Sequence, residues 1–188
     1  GTLNKYFYLK HGVPKNKLYY APYFVDNNFF NIKSNKNVLK KKLKIHKKKI
    51  VLFVGKLIKR KRPFDFLQLV KINQNNDKYR FIMIGDGNLK KNCEIFIKKN
   101  NLKNLLLLGF VNQSKLREFY NISDLVILPS DYETWGLTIN EAFASRTPVI
   151  CTQNCGASHD LIINKKTGYT YKAGDIKELK KKTDLILN

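Results

Sequence analysis

The sequence predicts an α/β fold built on a doubly wound parallel sheet, a Rossmann-like domain. Three observations carry this. Apolar runs of strand length recur from residue 50 onward. Each is followed by a helix-length amphipathic segment. Three of the runs end directly in glycine, at Gly55, Gly85 and Gly109. Continuous apolar strands alternating with helices imply a parallel sheet covered on both faces. The crossovers of such a sheet are right-handed.

The elements follow in order. Residues 1–32 read as a hinge segment. It comprises a helix from Asn4 to His11, a turn at Gly12-Val13-Pro14, a strand from Leu18 to Ala21 stopped by Pro22, and an aromatic loop beginning at Tyr23. Residues 33–49 hold nine Lys and no acidic residue and read as a basic linker or mobile loop. Residues 50–188 carry the sheet. Its strands are expected at Ile50–Val54, Arg80–Ile84, Leu105–Leu108, Leu125–Leu128, Val149–Cys151 and, more weakly, Gly168–Tyr171. Helices are expected near 63–74, 88–100, 113–121, 136–146, 156–163 and 175–187, the first opening at Pro63, a residue suited to a helix start. Ligands of such sheets sit at the carboxyl ends of the strands.

The chain of 188 residues fits one ordinary domain, and 43% apolar content excludes wholesale disorder. No apolar run reaches the ~18 residues of a membrane span, and the N-terminus lacks the pattern of a signal peptide. Cys93, Cys151 and Cys155 are too few and too oddly spaced for a disulfide framework or a zinc site, so a reduced cytoplasmic compartment is expected. The net charge of +22 suggests nucleic acid at first sight. However, nine of those charges lie in residues 33–49, and only five of the 36 basic residues are Arg. Arg is the residue suited to planar contacts with phosphate and guanine, so a Lys-rich surface reads as compositional bias.

Two stretches carry candidate chemistry. In the first, a strand ends at Leu128-Pro129 and a helix begins near Gly136, with Glu133 in the loop between them and Glu141 inside the helix. The backbone N–H groups of Gly136 and Leu137 would then be unsatisfied helix donors suited to a phosphate or a sugar oxygen. Glu141 is able to accept two hydrogen bonds from a ribose diol. The plainer alternatives are a helix N-terminal charge for Glu133 and a solvated helix residue for Glu141. The second stretch runs from Val54 through Gly55, Lys56 and Lys61 to Pro63. Positive charge beside a helix N-terminus is disfavoured unless an anion is present, so Lys56 and Lys61 suit a diphosphate, though a basic surface turn reads equally well. There is no Walker A spacing and no complete dinucleotide fingerprint. No acidic cluster argues for a metal.

Several ordered motifs resemble one family. Glu133 to Glu141 is similar to the E-x7-E motif of retaining glycosyltransferases of the GT-B fold, family 4 (glycosyl transferases group 1). VGKLIKRKRP resembles that family's G-[RK]-L-x-x-x-K segment, and IGDGNLK its G-D-G-x-L stretch. LGFVNQSKLREFYNISDLVILPS resembles the two elements that follow, and GVPKNKLYYAPYFVD the hinge passage that leaves the N-terminal domain. The resemblance implies the C-terminal half of a GT-B fold. It implies a hexosyltransferase-type enzyme moving sugar from a nucleotide-diphosphate sugar, without cofactor or metal, to a glycan or lipid-linked acceptor. That acceptor would be held by an N-terminal domain absent from residues 1–188, which alone should not transfer sugar.

By position, Lys56 and Lys61 would hold the diphosphate and Glu133 would stand near the sugar hydroxyls in a catalytic or positioning role. Glu141 would bind ribose, and Gly136 and Leu137 would supply N–H groups. Phe110 and Val111 would lie at the base, and Gly55 and Thr134 would complete the donor site. Departures are Arg146, where the family often has glycine, Cys155 before Gly156, and Asp160 where Glu is usual. An isomerase of the same fold, such as a nucleotide-sugar epimerase, is disfavoured by the ordered Glu133/Glu141 pair with Lys56 and Lys61, and two other readings stay open. One is a non-catalytic nucleotide-sugar-binding module. The other is a basic domain touching an anionic membrane at the cytoplasmic inner face, or nucleic acid, through residues 33–49.

Overall fold

The computed structural model describes residues 1–32, 36–45 and 48–188. Six parallel strands form one sheet: β1 (Lys49–Val54), β2 (Tyr79–Ile84), β3 (Leu105–Leu107), β4 (Leu125–Leu128), β5 (Val149–Thr152) and β6 (Gly168–Tyr171). Their spatial order is β3-β2-β1-β4-β5-β6. Chain direction across the sheet therefore reverses between β1 and β4, and a ligand crevice opens where neighbouring connections depart in opposite directions.

Side-chain alternation explains why the strands read as unbroken apolar runs. Ile50 and Leu52 of β1, Ile82 and Ile84 of β2, and Val126 and Leu128 of β4 enter one core layer. Val51 and Phe53, Phe81 and Met83, and Leu125 and Ile127 enter the other. Both faces are buried, so no polar face remains to show a period of two.

Helices cover both layers. Before the sheet come α1 (Thr2–Lys10), α2 (Asn27–Phe30) and α3 (Lys36–Lys42). Between strands come α4 (Pro63–Ile72), α5 (Lys90–Lys99), α6 (Gln113–Ile122), α7 (Leu137–Ala144) and α8 (Ser158–Leu161), and α9 (Ile176–Leu187) follows β6. Asn112 caps α6 by accepting from the Lys115 N–H, and Asp175 caps α9 by accepting from the Glu178 N–H. Among the described residues no helix is long and apolar enough to cross a membrane.

Two expectations for the N-terminal third differ from the structure. Leu18–Ala21 is not a strand: it follows a 3-10 turn at Lys15–Lys17 and joins no ladder. Tyr19 and Tyr20 are exposed. Its aromatic side chains find no sheet neighbour, and Pro14 and Pro22 bracket it without donors. Within the segment expected as a linker, residues 33–35 and 46–47 lie outside the described residues, but Lys36–Lys42 forms α3. Leu39 and Leu43 pack on the first core layer and Ile45 is buried. The i, i+4 pair of leucines is a helical stripe among lysines.

Arg146, where glycine is usual in the resembled family, has left-handed backbone with φ +61°. Gly85 has φ +152°, and a Cβ there would lie 1.8 Å from the carbonyl oxygen of Gly55. It is glycine because the ends of β1 and β2 approach this closely. We predict that Gly85→Ala lowers the unfolding free energy by at least about 2 kcal/mol. Urea denaturation followed by circular dichroism measures it, and an unchanged midpoint would contradict the close approach.

Candidate functional site

The candidate site lies at the carboxyl ends of β1 and β4. From β1 the chain passes Gly55 and Leu57 into a 3-10 turn at Lys59–Lys61, then through Arg62 into α4. From β4 it passes Ser130 and Glu133 to Gly136, whose φ of +100° turns it into α7. Gly136 occupies a conformation that disfavours a side chain.

Hydrogen bonds and ion pairs join the loops. The Asp131 N–H donates to the Arg60 carbonyl at 2.7 Å. Arg62 donates from Nη1 to Asp131 Oδ1 at 2.9 Å, and from Nε and Nη2 to both oxygens of Asp65, at 2.8 and 3.0 Å. Asp65 also accepts from the Gly174 N–H, which ties the β6–α9 turn into the cluster. The bidentate contact and the second carboxylate hold the Arg62 guanidinium protonated.

On its other side the β4–α7 loop is held to the β5–α8 turn. Glu133 N–H donates to the Asn154 carbonyl, Gly156 N–H to the Glu133 carbonyl, and Ala157 N–H to the Trp135 carbonyl. A Cβ at Gly156 would meet the Thr134 carbonyl oxygen at 2.1 Å. Trp135 donates from Nε1 to Asn140, and the ring of Tyr23 lies 5.8 Å from it.

Between the loops is a cleft of about 480 Å³, lined by Tyr23, Arg60, Lys61, Glu133, Thr134, Gly136, Leu137, Thr138 and Glu141, with Tyr132 and Trp135. Glu133 is the centre of its charge. One carboxylate oxygen accepts from Lys61, and the other from Arg60 Nη1 at 2.9 Å. The side chains of Glu133 and Lys61 are only 9% and 16% exposed. Burial pushes the Glu133 pKa up, but the hydrogen bonds and charge of Lys61, with Arg60, outweigh it and hold it below the usual value. Glu141 behaves oppositely. Burial raises its pKa, partly offset by a hydrogen bond from the Tyr120 hydroxyl and by the charge of Lys61. That hydroxyl donates to Glu141 Oε2 at 2.6 Å.

The backbone N–H groups of Gly136 and Leu137 donate to no acceptor among the described residues. With two cations, two carboxylates and a helix N-terminus, the cleft suits an anionic ligand that also carries hydroxyl groups. Among the described residues, no group of three or more His, Cys, Asp or Glu is placed to hold a metal. A larger hollow of about 720 Å³ lies between α1 and residues 15–21, without a carboxylate in its lining.

Of the residues singled out from sequence, Lys61, Glu133, Thr134, Gly136, Leu137 and Glu141 share the cleft. Gly55 lies under it, where a Cβ would touch Lys61 Cδ at 3.7 Å. Lys56 is exposed at the end of β1 and is not among the lining residues. Phe110 is 78% exposed and Val111 packs on the core, both outside the lining. Sequence reasoning passed over Arg60, which reads as one of several basic residues in a turn, and Tyr120, which reads as a core aromatic. Gly85 serves the close packing of strand ends, Gly109 turns the chain in left-handed backbone with φ +67° and accepts from the Gly85 N–H, and neither lines the cleft.

A doubly wound sheet with an anion-suited cleft at its switch point defines a Rossmann-like ligand-binding domain. Residues 35–188 match the family model described as "Glycosyl transferases group 1". The chain belongs to this family. It is 32% identical over 167 residues to the Escherichia coli UDP-Gal:alpha-D-GlcNAc-diphosphoundecaprenol alpha-1,3-galactosyltransferase, covering 85% of this chain and 42% of that protein. It is 29% identical over 137 residues to the uncharacterized glycosyltransferase MJ1178 of Methanocaldococcus jannaschii, covering 73% of this chain and 38% of the relative. The chain thus spans about two fifths of the length of these curated relatives.

Among solved structures, the fold is similar to the C-terminal domain of the glycosyl transferase group 1 protein LpcC from Francisella tularensis. The TM-score is 0.75 at 24% identity, covering 86% of each chain. It is also similar to Anabaena Alr3699/HepE in complex with UDP-glucose, with TM-score 0.79 at 19% identity, covering all of this chain and 54% of that one.

The Glu133 ion pairs carry a prediction. A carboxylate with a depressed folded pKa stabilises the fold above its unfolded value, and that contribution is lost as pH falls through the folded value. Glu133→Gln should therefore cost about 1–2 kcal/mol at pH 7. The difference should shrink as pH drops below the ordinary value of 4.5. Denaturant unfolding of both proteins at several pH values tests this, and an equal loss at pH 3 and pH 7 would remove the ion pairs from the account.

Proposed function

We propose that the cleft binds the diphosphate and ribose of a nucleotide-diphosphate sugar, and that the domain is the donor half of a retaining GT-B glycosyltransferase of family 4. One observation carries the reading: Lys61, Arg60, Glu133, Glu141 and the start of α7 converge on one cleft at the β1/β4 switch point. The relative named for UDP-Gal and the neighbour solved with UDP-glucose make uracil the first base to test.

In this reading Lys61 and Arg60 meet the diphosphate and the N–H groups of Gly136 and Leu137 take phosphate or sugar oxygens. Lys56 is exposed at the rim, and its flexible stem lets it swing toward the same phosphates. Glu141 accepts from the ribose diol. When the bond from the anomeric carbon to the diphosphate breaks, its electrons go to the leaving phosphate oxygen, and the cations stabilise that charge. The leaving phosphate then helps to deprotonate the acceptor hydroxyl on the same face. Glu133, which pairs with both cations in the free domain, is released toward the sugar hydroxyls as phosphate replaces it. The acceptor, a glycan or lipid-linked saccharide, is held by a second domain, so residues 1–188 bind donor without robust turnover.

Calorimetry with UDP, GDP and ADP sugars tests the reading. One of them should bind, and Glu141→Ala and Lys61→Ala should each weaken it by about 1–3 kcal/mol, roughly 5- to 150-fold. Lys56→Ala should have a smaller effect. No binding by any of the three, or unchanged affinity in both variants, would overturn the assignment.

A further inference from the structure

Tyr120 lies near the end of α6 and its ring is buried, with the ring of Phe30 edge-on at 5.9 Å. Its hydroxyl crosses to the neighbouring helix and donates to Oε2 of Glu141 on the second turn of α7. Phe30 is buried in the same core layer as Tyr120. The ring is thus held by packing, and the direction of the hydroxyl is set before any ligand arrives.

Glu141 has three side-chain torsions and a cation, Lys61, within electrostatic reach in the cleft. A carboxylate so placed would turn toward Lys61 unless something else holds it. The Tyr120 hydroxyl occupies one of about four lone-pair positions of the carboxylate and leaves the others for the cleft. A vicinal diol needs two adjacent acceptors in a fixed orientation.

We propose that Tyr120 is a positioning residue that aims the Glu141 carboxylate so that the cleft discriminates a ribose 2′,3′-diol from a deoxyribose. The inference rests on the reading of Glu141 given above. A merely structural Tyr120 would steady the fold or weaken all nucleotides alike. A positioning Tyr120 sets the ratio between ribo- and deoxynucleotides.

The test is binding of UDP, GDP and ADP and of their 2′-deoxy forms to the wild-type domain and to Tyr120→Phe, which keeps the ring against Phe30. Thermal midpoints are measured alongside. For the nucleotide that binds, the wild type should prefer the ribo form by about tenfold or more. Tyr120→Phe should reduce that preference to about threefold or less, with the affinity for the deoxy form nearly unchanged. In a Glu141→Ala background the Tyr120→Phe change should not alter the ratio further. If the wild type shows no preference, the ribose reading of Glu141 falls and takes the inference with it. If the wild type prefers the ribo form and Tyr120→Phe keeps the same ratio, or weakens both forms equally, the reading of Glu141 stands and the role of Tyr120 is overturned.

Discussion

A parallel sheet buried on both faces leaves only its strand ends open to solvent chemistry. Every functional feature of this domain follows from that constraint. Ile50 and Val51 are adjacent in sequence and enter opposite cores. No residue in the middle of β1 is therefore available to a ligand. Polar side chains collect instead in the loops that leave the strands, and the switch in strand order sets the β1 and β4 loops on either side of one cleft.

Loops at strand ends are ordinarily the mobile parts of a fold. Here they are bound to each other more than to solvent. Arg62, itself in left-handed backbone with φ +46°, joins Asp65 and Asp131, and Asn154 donates to the Asp131 carbonyl. The charged residues above this lattice, Lys61, Arg60 and Glu133, meet with their geometry already set. A ligand entering such a cleft exchanges one set of ionic partners for another, which costs less ordering than collecting free side chains from water.

The sheet was legible because buried parallel strands leave unbroken apolar runs and glycine marks their ends. Glu133 and Glu141 were legible because both flank a strand-to-helix turn. Other features were masked for physical reasons. A stretch holding nine lysines hides the Leu39 and Leu43 stripe of α3, since its mean composition is that of a solvated linker. The run Leu18–Ala21 has strand-like residues but no neighbour to pair with, which only tertiary structure decides. Arg60 was lost in a turn where four of five residues are basic (Lys59–Pro63). The partnership of Tyr120 with Glu141 spans 21 residues and depends on how α6 and α7 lie side by side. No local pattern encodes that distance.

The segment of residues 1–32 reaches further into the domain than its position outside the sheet suggests. The carbonyl of Tyr23 accepts from Asn140 on α7, its ring lies on Trp135, and Phe30 backs the ring of Tyr120. The family match begins at residue 35, after all of these contacts. The unit that the family model recognises is therefore smaller than the unit that holds its shape. Swapping this domain between relatives at the recognisable boundary would exchange the cleft but leave behind the residues that brace it.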